Sequence, residues 1–415
     1  MLGGVLAPIQ WRLVFLVCVP IGLFGTVWAY RKLVDLSPRR HARIDWWGNV
    51  TFALGLIAVM VGITYGIQPY GGHTMGWTAP GVLAALVGGV ALLALFVVIE
   101  RRVAEPMFDL SLFRIRAFTA GCVATLLAAI GRRGLQFILI IWLQGIWLPR
   151  HGYAFDKTPL WAGIYMLPMI AGFLIAGPVS GHLSDRYGAR PFATGGMVAA
   201  AATFLLLELL PVDFSYVAFG ALLLLNGLAM GLFSSPNRAA IMNSLPAAQR
   251  GAGAGMSATF QNAAQVLSIG IFFSLMIVGL AAHLPTALHD GLVAHGVSEA
   301  DATRIARLPP VASLFAAFLG YNPMQHLLGP HVLASLPHAQ AAELTGRGFF
   351  PSLMSGPFAD ALNVAFTFAL VACLIAAGAS LLRGGRYHHE DHAGLAGEAI
   401  EPQPSGIAPA LQRSA

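Results

Sequence analysis

Two adjacent arginines, Arg132 and Arg133, interrupt the apolar run Phe118–Leu148. If that run is a membrane helix, a rise of 1.5 Å per residue places them roughly 20 Å along it from Phe118, near mid-bilayer. A guanidinium there costs at least about 3 kcal/mol to insert, so it must face a cavity or an acid. The chemistry open to it is recognition of an anionic group, or pairing with a carboxylate elsewhere. A structural salt bridge or a side chain snorkelling to the interface is the plainer alternative. Neighbouring helical residues point about 100° apart, so the two arginines are not expected to share one face. Gly131 and Gly134 bracket them and are expected to admit another backbone, and Gln136 lies one turn further on.

Other polar residues in apolar runs form a weaker set. Asn226 precedes Gly227 and Gly231, whose small-xxx-small spacing favours close helix packing. Gln261, Asn262 and Gln265 stand at the start of the run Phe260–Leu280, spaced so that Gln265 neighbours both of the others. Substrate contact and hydrogen-bonding between helices are both open for these residues. Glu208 is near the end of its run, within reach of water, and is not taken as a proton-coupling acid. The cluster His388, His389, Glu390, Asp391 and His392 resembles a metal set but sits in a polar tail. Cys18, Cys122 and Cys373 all lie in apolar runs and suggest hydrophobic fillers rather than a disulfide framework. No catalytic residue and no metal site is expected.

The elements that must position these residues follow from composition. Of 415 residues, 57% are hydrophobic and 10% charged, with mean hydropathy +0.72. No soluble core hides that much apolar surface, so lipid is the expected solvent. Nine runs are long enough to span a bilayer: Leu13–Tyr30, Trp46–Ile67, Pro80–Ile99, Phe118–Leu148, Leu160–Ser180, Phe192–Leu210, Phe214–Phe233, Phe260–Leu280 and Phe358–Leu382. The fourth exceeds one crossing, so part of it must tilt or project into water. Gly177-Pro178 and Pro168 are expected kinks.

Alternate loops carry most of the 24 basic residues, including Arg31, Lys32, Arg39, Arg40, Arg43, Arg101, Arg102, Arg114, Arg116, Arg186, Arg190, Arg238 and Arg250, with Arg383 and Arg386 beyond the last span. By the positive-inside rule these loops are cytoplasmic, as is the C-terminus, and the N-terminus starts outside. The net charge of +6 is spread over such loops, which argues against nucleic acid. The segment 281–357 is expected outside as a cap of short helices, with Ser298–Arg307 and Val311–Leu319 among them. The tail, 383–415, has nothing to bury and is expected to be disordered and cytoplasmic.

One short connection is more specific. Gly181-His182-Leu183-Ser184-Asp185-Arg186-Tyr187-Gly188-Ala189-Arg190 joins two spans. Its glycines permit a tight reversal. Asp185 is placed to accept from a helix N-terminus or pair with a neighbouring arginine, a link one conformation makes and another breaks. The segment resembles the signature loop of the major facilitator superfamily, Gly-x-Leu-x-Asp-Arg-x-Gly-x-Arg/Lys, with Gly181, Asp185, Arg186, Gly188 and Arg190 in the matching places. In that family the loop lies between the second and third helices of a six-helix bundle. The resemblance therefore implies a C-terminal bundle over 118–382.

Upstream, the resemblance extends to the fourteen-helix drug:proton antiporter branch, whose two linker helices would be the spans in 44–100. Gly3 and Gly4 look like the tail of its antiporter motif, with Trp11-Arg12 and Val19-Pro20-Ile21-Gly22 following as in the branch. Residues 1–30 would then be the end of an N-terminal bundle whose first five helices are absent, along with the acid that usually carries the proton. A chain starting at Met1 is then expected not to transport alone.

The expected fold is an all-α integral membrane protein of the inner membrane, with about nine transmembrane helices and a major facilitator fold truncated at its N-terminus. The implied activity is proton-coupled efflux of small amphipathic compounds. No cofactor is implied. The implied partners are the lipid bilayer, a small-molecule substrate and protons, with a periplasmic adaptor protein as a further candidate. The competing readings are a non-transporting remnant and a membrane-embedded enzyme. The latter needs acids, His or Cys converging between spans, and the sequence offers none.

Overall fold

The computed structural model describes residues 10, 12–32, 45–73, 75–103, 106–246, 249–319, 322–346 and 348–383. Gly3 and Gly4, Trp11, the loop arginines Arg39, Arg40 and Arg43, and the tail from 384 with its histidines lie outside the described residues.

Among the described residues, nine helices are long and apolar enough to cross a membrane, one for each run expected from sequence. They are α1 (Leu13–Lys32), α2 (Trp46–Gly66), α3 (Pro80–Glu100), α4 (Arg116–Arg150), α5 (Phe155–Tyr187), α6 (Ala189–Glu208), α7 (Tyr216–Asn243) and α8 (Arg250–Ala294). Four short helices follow, α9 (Glu299–Ala306), α10 (Pro310–Leu319), α11 (Met324–Ser335) and α12 (His338–Thr345), before the last span, α13 (Phe349–Leu381). No strand occurs among the described residues; Tyr70 and His73 form an isolated bridge. Large apolar side chains such as Ile57, Val87, Leu174, Ile175 and Ile375 stand exposed along the helices, which suits a protein whose solvent is lipid.

Helices α4 to α8 and α13 form one bundle. In it α5 packs along α7, α7 on α6, α6 on α13, and α13 on both α8 and α4, while α4 also meets α7 and α8. Small residues set the closest approach. A Cβ on Gly231 would stand 2.7 Å from Ala176 Cβ and 2.9 Å from the Phe173 carbonyl, and one on Gly227 would strike the Met169 carbonyl. The small-xxx-small spacing thus serves the α5–α7 contact. Gly134 behaves differently from expectation: the ring of Phe272, not a backbone, fills the space above it. Helices α2 and α3 pack on each other, and α2 meets α8 where Ile63 lies against Gly270. No residue of α1 is buried.

Several spans run past their expected ends. Helix α8 has 45 residues, about 68 Å at 1.5 Å each, more than twice the hydrocarbon thickness of about 30 Å. Its final turns and the first turns of α13 occupy the two ends of the segment expected to be an external cap, with α9 to α12 as the short helices between them. Two of those match the amphipathic stretches read from sequence. Helix α7 continues beyond Phe233 to Asn243, through Pro236, because a membrane helix tolerates proline where neighbours satisfy its backbone. Helix α4 is continuous but widens into a π-turn over Leu143–Trp147. Helix α5 breaks at Met166, just ahead of Pro168. Histidine–carboxylate pairs tie the α8 end of the cap together: His289 with Glu299 at 3.6 Å, His295 with Glu343 at 3.6 Å, and His283 with Asp360 at 3.8 Å.

Candidate functional site

Four cross-helix hydrogen bonds fix the geometry around the arginines. Ser268 Oγ on α8 donates to the Ile130 carbonyl on α4 at 2.7 Å. Asn237 Nδ2 on α7 donates to Thr125 Oγ1 on α4 at 2.7 Å and to the Gly121 carbonyl at 3.3 Å. Ser180 Oγ on α5 donates to the Gly231 carbonyl on α7 at 3.1 Å. In an apolar medium such bonds have no competition from water and hold helices in register.

The four helices so joined enclose a cleft of about 110 Å³. Arg132 and Arg133 line it from α4, Phe173 from α5, Ser234, Asn237 and Arg238 from α7, and Ser257, Gln261, Asn262 and Gln265 from α8. The two adjacent arginines, about 100° apart around α4, both line this one cleft. The Arg132 guanidinium lies 5.4 Å from the centre of the Phe173 ring, a cation–π contact. Among the described residues neither Arg133 nor Arg238 has an ion-pair or hydrogen-bond partner. No aspartate or glutamate lines the cleft.

Gln261, Asn262 and Gln265 line the same cleft as the arginines, but from well inside α8 rather than at its start, since that helix begins at Arg250. Two candidates do not join them. Asn226 is fully buried and donates to Thr203 Oγ1 at 2.7 Å, tying α7 to α6. Gln136 is partly buried and does not line the cleft. Sequence reasoning missed Arg238, Asn237, Ser234, Thr125 and Ser257, because the expected span ended at Phe233 and the small hydroxyls carried no pattern. Continuing the helical period past Pro236 would have found the α7 residues.

Arg383, expected in a disordered tail, is instead 5% exposed at the end of α13 and donates to Asn237 Oδ1. It thereby joins the Thr125–Asn237 link, so that α4, α7 and α13 meet in one polar network beside the cleft. Glu208 accepts from Thr367 Oγ1 at 3.3 Å, across α6 and α13.

The connection carrying the motif is tighter than a loop. Gly181 to Tyr187 form the last two turns of α5, Gly188 alone makes the reversal at φ +88°, and α6 starts at Ala189. Only glycine adopts that backbone without strain. Gly181 lies close to Ser235 of α7. Asp185, Arg186 and Arg190 are exposed at this end, and Asp185 has no hydrogen-bond or ion-pair partner among the described residues. These residues stand together but apart from the cleft. No group of three His, Cys, Asp or Glu side chains gathers as a metal set among the described residues, and the cysteines are unpaired, Cys122 and Cys373 buried and Cys18 exposed.

A bundle of spanning helices with a polar, arginine-lined cleft between them defines a polytopic membrane protein. The chain belongs to the major facilitator superfamily, whose profile matches residues 43–269. It is 25% identical over 387 residues to the multidrug transporter protein MdtP of Bacillus subtilis, covering 91% of this chain and 65% of that one. It is 31% identical over 320 residues to the methyl viologen resistance protein SmvA of Salmonella typhimurium, covering 75% and 61%. With the multidrug resistance protein Stp of Mycobacterium tuberculosis it shares 27% identity over 307 residues, 72% of this chain and 54% of the other. The chain spans about half to two-thirds of the length of the curated relatives it matches.

Proposed function

We propose that the chain serves secondary active transport, as part of a proton-coupled exporter of small amphipathic compounds in the fourteen-helix drug:proton antiporter branch. The observation that carries this reading is the cleft: charged and amide side chains from α4, α7 and α8 converge between helices of a major facilitator bundle. Polar groups within a membrane are costly and mark a solute path. Relatives named for multidrug and methyl viologen resistance support export as the direction. The protein resides in the cytoplasmic membrane with the Gly188 turn and the C-terminus inside. Gly181, Asp185, Arg186, Gly188 and Arg190 act at that turn as a gate, where Asp185 gains a partner in one conformation and loses it in the other.

Disrupting the gene in its host and restoring it tests this reading in the native setting. Accumulation of a panel of anionic, neutral and cationic amphipathic compounds is measured with and without a protonophore. Higher accumulation on disruption, abolished as a difference by the protonophore, is the expected result. Equal accumulation in both strains, across a panel of amphipathic compounds, overturns it. A cysteine placed at Ala189 and probed with an impermeant maleimide reports the side on which the turn lies.

A further inference from the structure

The charge balance of the cleft identifies a chemical class. Arg132, Arg133 and Arg238 all line it, no carboxylate does, and two of the three have no partner among the described residues. Like charges sharing a site between membrane helices repel strongly because little water screens them. Arg132 and Arg133 are half-buried and Arg238 is exposed, so an anion that reaches them gains a counter-charge contact that the lining itself does not supply. We infer that the cleft is a subsite for an oxyanion, the carboxylate, sulfonate or phosphate end of an organic anion. This inference rests on the transport reading and names the substrate class of its site.

The arrangement suits that occupant. Phe173 lies 5.4 Å from the Arg132 guanidinium in a cation–π contact, and a guanidinium's N–H edges match an oxyanion's paired oxygens. Gln261, Asn262 and Gln265 add neutral donors on the opposite wall, whose amides can complete the coordination without adding charge. Size sets the limit. Drug pockets run from about 300 to 1,000 Å³, whereas this cleft is about 110 Å³. It seats one charged group, not a whole amphipathic molecule, so the apolar remainder must lie beyond it. A permanently dicationic solute is repelled from the same place.

The test is binding to the full chain in phosphatidylcholine nanodiscs, read by equilibrium dialysis. Naphthalene-1-sulfonate is compared with its neutral isostere naphthalene-1-sulfonamide and with methyl viologen. The sulfonate is expected to bind about tenfold more tightly than the sulfonamide, the difference one charge-assisted hydrogen-bonded pair makes, and methyl viologen is expected not to compete with it. Arg133→Gln is expected to lose about that tenfold preference, and Arg133→Lys to restore part of it, since lysine keeps the charge without the fork. The thermal unfolding midpoint of each variant separates lost binding from lost folding. Arg238→Gln, at an exposed position, gives a second readout if Arg133→Gln does not fold.

Equal affinity for sulfonate and sulfonamide overturns the inference, as does competition by methyl viologen at this site. Loss of sulfonate binding when phosphatidylglycerol replaces part of the phosphatidylcholine also overturns it, because a lipid headgroup is then the occupant. The outcomes separate from those for transport. Export of cations without sulfonate selectivity leaves the exporter and removes the oxyanion subsite. Sulfonate selectivity with no accumulation phenotype does the reverse.

Discussion

Removing the Asn237 side chain should unlock three helices at once. Its amide donates to Thr125 and Gly121 on α4, its oxygen accepts from Arg383 just past the end of α13, and it is 2% exposed. In Asn237→Ala, two neutral hydrogen bonds at about 1 kcal/mol each are lost, together with one to a charged donor at about 1.5–3 kcal/mol. Arg383 Nε and Nη1 already lack partners, so the variant leaves a buried guanidinium with no acceptor among the described residues. The sum is about 4 kcal/mol, within the range of about 3–5 kcal/mol for breaking a buried charged contact. Asn237→Asp should cost about 1–2 kcal/mol, less than the alanine variant: the carboxylate pairs with Arg383, but the Gly121 carbonyl loses the amide donor, and the Thr125 hydroxyl must leave that carbonyl to donate to the carboxylate. In the double variant Asn237→Ala, Arg383→Met, the loss should fall short of the sum of the two singles by about 2 kcal/mol, because the stranded cation is gone. The assay is reversible SDS titration in mixed micelles, followed by circular dichroism. Thiol-reactive dye on heating provides a second probe, in which buried Cys122 and Cys373 react only on opening. If Asn237→Ala unfolds within 0.5 kcal/mol of the parent, a margin about the size of a surface substitution, the network is not holding these helices and the reasoning fails.

Other outcomes follow from the same geometry. Gly231→Leu should destabilise by about 3 kcal/mol or prevent folding, since even its Cβ meets Ala176 and Phe173. Gly220→Ala on the same helix, with nothing nearer than 3.6 Å, should melt like the parent. Asn226→Ala should cost about 1 kcal/mol through its bond to Thr203 and leave solute binding unchanged, which dialysis with naphthalene-1-sulfonate checks. In the cap, hydrogen bonds from Ser298 and then from Arg304 hold the Asp301 carboxyl below its ordinary range. A carboxyl depressed on folding contributes stability that is present above its unfolded pKa and is lost as pH falls through its folded pKa. Protection of α9 amides in hydrogen exchange should therefore drop in acid, and Asp301→Asn should flatten that dependence.

The spans were legible because a bilayer filters composition: each of nine apolar runs became a helix, and the motif around Asp185 fell where two of them meet. Ends were less legible, for a reason specific to membranes. Ser234-Ser235-Pro236-Asn237 has the composition of a turn in water, where proline and asparagine interrupt a helix. Between membrane helices the freed carbonyls and the asparagine amide find partners on neighbouring spans, so α7 runs on for ten residues past Phe233. That displacement changes the meaning of Arg238 from a loop charge orienting the protein to a charge lining the cleft.

The same correction bears on how intramembrane polar residues should be weighed. Arg132 and Asn226 looked alike in sequence, each a polar residue in an apolar run, yet one lines the cleft and the other joins α7 to α6. What separates them is whether a neighbouring helix offers a complement. Thr203 supplies one for Asn226, whereas around Arg133 and Arg238 the lining offers amides, hydroxyls and further cations, but no acid. A polar group matched by its own fold serves packing. One left without its counter-charge is open to an anion, and on the oxyanion proposal the arginines, not the more numerous amides, set what this cleft selects.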